Sequence, residues 1–180
     1  MQTDPAPRAI LETPRLFLRE FTHGDDAFVL RLLNEPSWLR FIGDRGVRTL
    51  EDARRYLDDG PFRSYATNGF GLWCVEPRES GAPLGMCGLI RRDTLPDVDV
   101  GFAFLPEAWG RGYAMEAASA VLAHARGALG LRRVLAITDP ENAASIRVLE
   151  RIGMRREGTV RMPGEAMDLL LFAVDLSPSP

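Results

Sequence analysis

A chain of 180 residues, 46% apolar and 26% charged, has the size and composition of one globular domain with a sizeable core. A formal net charge of −3 and a pI near 5.5 argue against binding to a nucleic-acid backbone as the main activity. No apolar run approaches the roughly 18 residues that a membrane helix needs. All 22 basic residues are arginine, which leaves no lysine for a Schiff base or for a phosphate-binding loop of the Walker type.

The opening "MQTDPAPRA" lacks a basic-then-apolar leader pattern and reads, through residue 11, as a disordered tail; "SPSP" reads as its counterpart at 177–180. Residues 12–176 then form a single domain. "RLFLREF" (15–21) alternates Leu16 and Leu18 against Phe17 and Arg19, the pattern of a strand. Asp25 and Asp26 open a helix carrying Phe28, Val29, Leu32 and Leu33, which ends near Pro36. A second helix starts at Thr49, with Asp52 as its cap partner, and stops at Gly60-Pro61. "FGLWCVE" (70–76) and "PLGMCGLIRR" (83–92) read as a hairpin, followed by a strand over 97–105 with Val98, Val100, Phe102 and Phe104 on one face. From Gly112 the period changes to that of a helix, with Met115, Ala118, Leu122, Ala125 and Leu129 in one stripe. A strand at 132–138, a helix at 141–153 and two closing strands complete a mixed sheet with helices on its faces, an α/β (α+β) arrangement with a central βαβ unit. Cys74 and Cys87 flank the hairpin turn and read as buried apolar residues, a usage that fits a reducing cytoplasm.

The stretch "VGFAFLPEAWGRGYAMEAASAVLAHA" (100–125) carries the first chemical signal. A strand runs into Pro106, a Gly-Arg-Gly turn and a long helix. Helix N-termini leave N–H donors unpaired and favour negative charge, so such a turn suits an anion; the alternative is an ordinary strand-to-helix connection. A dinucleotide fingerprint would need glycine where Met115 stands, and a Walker motif would need the missing lysine.

This element order, together with Trp109-Gly110-Arg111-Gly112-Tyr113-Ala114, resembles the GCN5-related N-acetyltransferase family, whose phosphate motif is Gln/Arg-x-x-Gly-x-Gly/Ala. Trp109 replaces the first residue, as in the branch that acetylates ribosomal-protein N-termini (the RimJ/RimL type). "ENAASIRVLERIGM" (141–154) and the opening "ETPRLFLREFTHGDDAFVLRLLNEPSWLRFIG" are similar to that branch as well. The resemblance implies a sheet splayed between the strands at 97–105 and 132–138, acetyl-CoA as cofactor, and direct transfer to an amine in a ternary complex. The cofactor residues it implies are Phe102, Ala103, Phe104, Trp109, Gly110, Arg111, Gly112, Tyr113, Ala114, Met115, Asn142 and Ser145. Gly101 falls where the family's strand bulges, which would free an N–H from Phe102 or Ala103 for the thioester carbonyl. Asn142 is also a natural helix cap. Leu149 stands where many relatives carry a tyrosine general acid, so Ser145 is the substitute proton donor.

Asp99 and Glu107 are the candidate bases, with Glu165 and Asp168 as outside candidates; His23 and His124 read as surface or packing residues. Trp38, Phe41 and Trp73, with Tyr56, Phe62 and Phe70 nearby, are the expected acceptor-binding aromatics. The implied partner is an amine acceptor, either a peptide N-terminus or a small molecule, with no nucleic acid, membrane or metal; the chain is expected to be cytoplasmic and monomeric or homodimeric. A non-catalytic acyl-CoA-binding module is the rival reading.

Overall fold

The computed structural model describes residues 7 and 9–177; the outer parts of both expected tails, 1–6, 8 and 178–180, lie outside the described residues. Eight strands form one sheet in the order β1-β2-β3-β4-β5-β6-β8-β7. They are β1 (Ala9–Glu12), β2 (Leu16–Arg19), β3 (Leu72–Pro77), β4 (Gly85–Ile90), β5 (Asp99–Phe104), β6 (Arg133–Thr138), β7 (Arg155–Val160) and β8 (Leu169–Asp175). All neighbours are antiparallel except β5 and β6, which the crossover helix α5 (Tyr113–Gly127) joins in parallel.

Three element boundaries depart from the sequence reading. Ala9–Leu11, assigned above to a tail, belong to β1, which pairs with β2. Pro36 does not only end a helix. It occupies the first turn of another, α2 (Pro36–Phe41), following α1 (Asp26–Leu33); its missing N–H is one that a helix start leaves unpaired anyway. Nor does Gly60-Pro61 stop the helix that begins at Thr49. Helix α3 (Leu50–Leu57) passes through a π-helical turn (Asp58–Phe62), which takes up the proline, into α4 (Arg63–Asn68). The Thr49–Asp52 pair does form a capping box, with Thr49 Oγ1 accepting from Asp52 N at 3.1 Å and Asp52 accepting from Thr49 N at 3.1 Å.

Strands β3 and β4 are buried along nearly their whole length because both sheet faces are covered. Leu16, Leu18, Trp73, Val75, Cys87, Leu89 and Val100 pack under α5 and against α6 (Ala143–Arg151), while Cys74, Met86, Ala103 and Leu105 pack under α1–α3. Register explains the cysteines: Cys74 opposes Met86 and Cys87 opposes Trp73. The two thiols therefore sit one step apart on opposite faces and remain free, each pushed up in pKa by burial.

The functional feature of the sheet is where it comes apart. Asp99 pairs with Leu135, through Leu135 N to Val98 O at 2.9 Å, and the β5–β6 ladder ends there. No bulge causes this. β4 and β5 stay in continuous register from Gly85↔Phe104 to Ile90↔Asp99, so the bulge expected at Gly101 is absent. A Cβ at Gly101 would come within 3.1 Å of Ile90 Cδ1, so this glycine makes room for a neighbour instead.

Candidate active site

The register dictates which backbone groups face the gap. Leu89 N bonds Gly71 O on the β3 side and Leu105 N bonds Leu84 O on the β5 side, so even-numbered residues of β4 pair with Asp99, Gly101 and Ala103. The N–H and C=O groups of Phe102 and Phe104 must then face β6, where no partner strand remains. From across the gap, Ile137 presents its backbone, because Leu135 faces β5 and the side alternates. Of the two donors expected for a carbonyl, Phe102 and Ala103, the geometry selects Phe102. The Phe104 carbonyl is taken by Trp109 Nε1 at 3.0 Å.

A cleft of about 840 Å³ opens at this gap. Asp99, Gly101 and Ala103 lie on its floor, which is the face opposite to Val98, Val100 and Phe104; Ile137, Thr138, Asn142, Ser145 and Leu149 form one wall. Trp38, Phe41, Tyr56, Pro61 and Ser64 form the other, with Met162 and Glu165 of the β7–β8 connection at the rim. The π-helical turn that sequence reading missed thus shapes the acceptor side.

Asp99 is 1% exposed. Burial raises its pKa, and Arg92, whose Nε donates to Asp99 Oδ1 at 2.9 Å, pulls in the other direction without cancelling the effect. A carboxyl with its pKa raised, on the floor of a cleft, is a candidate proton acceptor. Sequence reading found Asp99 but not Arg92; the signal was there, since a charge within an apolar strand requires a partner. Tyr56 also lines the cleft, its hydroxyl pushed up by burial and eased back by the charges of Arg45 and Arg92.

Ser145 and Asn142 are brought together at the start of α6. Asn142 caps the helix, its Oδ1 accepting from Ser145 N at 3.2 Å, which leaves the amide nitrogen available to a ligand. The expected cap and binding roles are therefore compatible.

Other candidates lie elsewhere. Glu107 is on the outside of the short turn before the glycines, ion-paired with Arg31 at 2.7 Å; that hydrogen bond lowers its pKa, and it does not line the cleft. The structure thus separates it from Asp99. Trp73 is 1% exposed in the core under α5, edge-on to His124, and Phe70 is core as well, so neither reaches the cleft; Phe62 packs against His23 outside it. These placements correct the expectation for Glu107 and Trp73. The cause is strand parity for Trp73 and an arginine on α1 for Glu107. Asp168 pairs with Arg161 at 2.8 Å, away from the cleft, whereas Glu165 lines it. His23 meets Asp58 at the surface.

Trp109 to Met115 do not line the cleft itself; they follow the C-terminal end of β5, past the gap. Gly110 and Gly112 adopt φ of 72° and 77°, the left-handed region that excludes most side chains. Among the described residues the N–H groups of Gly110, Arg111, Gly112, Tyr113, Ala114 and Met115 find no hydrogen-bond acceptor. Six free donors at the start of a fifteen-residue helix suit a pyrophosphate, and the gap beside Phe102 and Phe104 suits an extended amide-bearing arm. The residues present fit coenzyme A. The side chain of Tyr113 is 6% exposed, so it contributes through its backbone.

A split sheet with a buried carboxyl, followed by a glycine turn at a helix start, fits an acyl-CoA-dependent transferase. The profile of the acetyltransferase (GNAT) domain matches residues 15–155, and the chain belongs to that family. It is 32% identical over 154 residues to the uncharacterized protein YkkB of Bacillus subtilis, covering 84% of this chain and 88% of that one. It also matches the crystal structure of a GNAT-family acetyltransferase from Bacillus anthracis with a TM-score of 0.75 and 27% identity, over 94% and 98% of the two chains. The same fold is seen in RimL, the ribosomal L7/L12 α-N-protein acetyltransferase solved with coenzyme A, at a TM-score of 0.78 and 18% identity over 93% and 98%. The protein is an acetyl-CoA-dependent acyltransferase. Among the described residues no helix is long and apolar enough to cross a membrane, and no group of three acidic, histidine or cysteine residues is placed to hold a metal.

Proposed function

We propose that the protein transfers an acetyl group directly to a primary amine in this cleft, and that the acceptor is the α-amine of a peptide N-terminus. The carrying observation is Asp99, fully buried at the point where β5 and β6 part. When bound, acetyl-CoA supplies the activated thioester. Phe102 N–H is the donor the site offers to the thioester carbonyl. Asp99 takes the proton that the amine loses as its C–N bond forms, and as the C–S bond breaks the Ser145 hydroxyl passes a proton to the sulfur while taking one up from solvent water. Arg92 holds Asp99 in place. Both cysteines are buried away from the cleft, which favours direct transfer over a thiol-bound acyl group.

An α-amine, with a pKa of about 7.7–8.0, is partly neutral at pH 7, which places modest demands on a carboxylate base; a lysine side chain at about 10.4 would demand far more. The mixed walls of the cleft, with Trp38 and Phe41 beside Arg45 and Glu165, suit the first residues of a peptide. The likeness to RimL is one of fold, and it supports this acceptor class only to that extent. The test is release of free thiol from acetyl-CoA with a panel of short peptides, their N-terminally blocked forms and small amines. Turnover confined to free N-termini supports the proposal. Turnover with blocked peptides or with polyamines alone refutes the acceptor class, and no thiol release with any amine refutes catalysis in favour of an acyl-CoA-binding role.

A further inference from the structure

Arg15, in the short loop between β1 and β2, belongs to no role described so far. Its Nε donates to Glu116 Oε2 at 2.6 Å and its Nη1 donates to the Arg111 carbonyl at 2.8 Å, while its guanidinium lies 4.6 Å from the centre of the Tyr113 ring. Glu116, in the first turn of α5, is held from the same loop by Thr13 Oγ1 at 2.6 Å and Arg15 N at 3.0 Å. Burial opposes the charge on Glu116, yet these hydrogen bonds outweigh it and keep its pKa low. Exposed ion pairs contribute little as a class, but this one reaches the middle of the glycine turn.

The peptide unit between Arg111 and Gly112 is planar and trans, so its C=O and N–H point in opposite directions. Pinning the Arg111 carbonyl to Arg15 therefore aims the Gly112 N–H away from the β1–β2 loop, outward from the turn. We infer that Arg15 is a positioning residue for the phosphate turn: it sets the affinity for the diphosphate of coenzyme A by fixing the orientation of the 111–112 peptide, with Glu116 and Thr13 as its anchor. The glycine at 112 fits the same arrangement, since a Cβ there would lie 3.3 Å from Arg15 Nη2. The inference rests on the acetyl-CoA reading of the turn.

The experiment compares wild type with Arg15→Met, which keeps the stem, and Arg15→Lys, which keeps the charge without a planar fork able to serve Glu116 and the carbonyl together. Coenzyme A affinity is measured by titration, and kcat/KM is measured with acetyl-CoA and with S-acetylpantetheine, which has the same thioester but no diphosphate. Both variants are expected to bind coenzyme A roughly tenfold more weakly, as for one lost charge-assisted hydrogen bond. The preference for acetyl-CoA over S-acetylpantetheine should shrink by a similar factor. Wild-type affinity in Arg15→Met overturns the inference, as does wild-type affinity in Arg15→Lys, which would mean that charge alone acts. Equal losses with both donors overturn it too, because they would show general damage to the fold. Failure of the wild type to bind coenzyme A at all would refute the cofactor reading itself, a distinguishable result.

Discussion

Asp99 and Leu135 form the last step at which β5 and β6 pair, and Asp99 is at once that final ladder residue and the buried carboxyl of the cleft floor. One position therefore fixes both where the sheet opens and where a proton can be taken. Replacing Asp99 with Asn should lower kcat by roughly 10²–10⁴-fold, the usual contribution of a general base. It should not lower Tm, since above its raised pKa the buried charge opposes folding. Equal losses of rate and stability would assign Asp99 to structure instead.

The pH dependence follows from the same residue. A base acts in its deprotonated form, so the rate falls as pH drops through the raised pKa of Asp99, above the ordinary value of 3.8. For stability the sign is opposite to that of a carboxylate whose pKa folding lowers, because burial of Asp99 outweighs its pairing with Arg92. The folded state holds this proton more tightly than the unfolded state, so the contribution of Asp99 to stability declines as pH rises from 3.8 through the folded pKa. Initial rates across pH on wild type and Asp99→Asn test this; the acidic limb should vanish in the variant.

Gly112→Ala and Gly112→Asp separate strain from charge in the turn. Any side chain at φ 77° costs about 1–2 kcal/mol, so alanine should weaken coenzyme A binding several-fold. Aspartate adds a like charge beside the diphosphate and should abolish binding while the protein remains folded. Coenzyme A titration checks both, and retained binding in Gly112→Asp would contradict the anion role of the turn.

At α6, changing Asn142 and Ser145 together to Ala should reduce turnover more than affinity. Asn142→Asp keeps a good cap but loses the amide donor, so Tm should hold while acetyl-CoA binds more weakly. Thr49→Ala removes one half of a capping box remote from the chemistry. It should cost about 1 kcal/mol, or roughly 2–4 °C in Tm for a domain of this size, with kcat unchanged.

Much of this arrangement was legible in the sequence, and the failures have local causes. Periodicity located seven of the eight strands and the helices α1, α3, α5 and α6; the Thr49–Asp52 spacing marked a cap, and the Gly-Arg-Gly sequence marked the turn before α5, whose two glycines have positive φ. Pro61 misled because a proline within a π-helical turn looks like a stop when the turn cannot be foreseen. Ala9–Leu11 are only four residues of strand with Glu12, held by pairing with β2, and local propensity could not reveal them. Trp73 and Glu107 were near the site in sequence but not in space, because side-chain parity and a distant arginine decided their direction. Arg92 and Arg15 were missed for the converse reason. Each acts on a partner, Asp99 or Arg111, which only the fold brings to it.

The most direct measurement is thermal unfolding with acetyl-CoA, ATP and NADH in parallel. A ligand that binds only the folded state adds RT ln(1 + [L]/Kd), about 2.7 kcal/mol at a 100-fold excess over Kd. The account predicts a rise in Tm with acetyl-CoA alone. A rise with ATP or NADH and none with acetyl-CoA would contradict it.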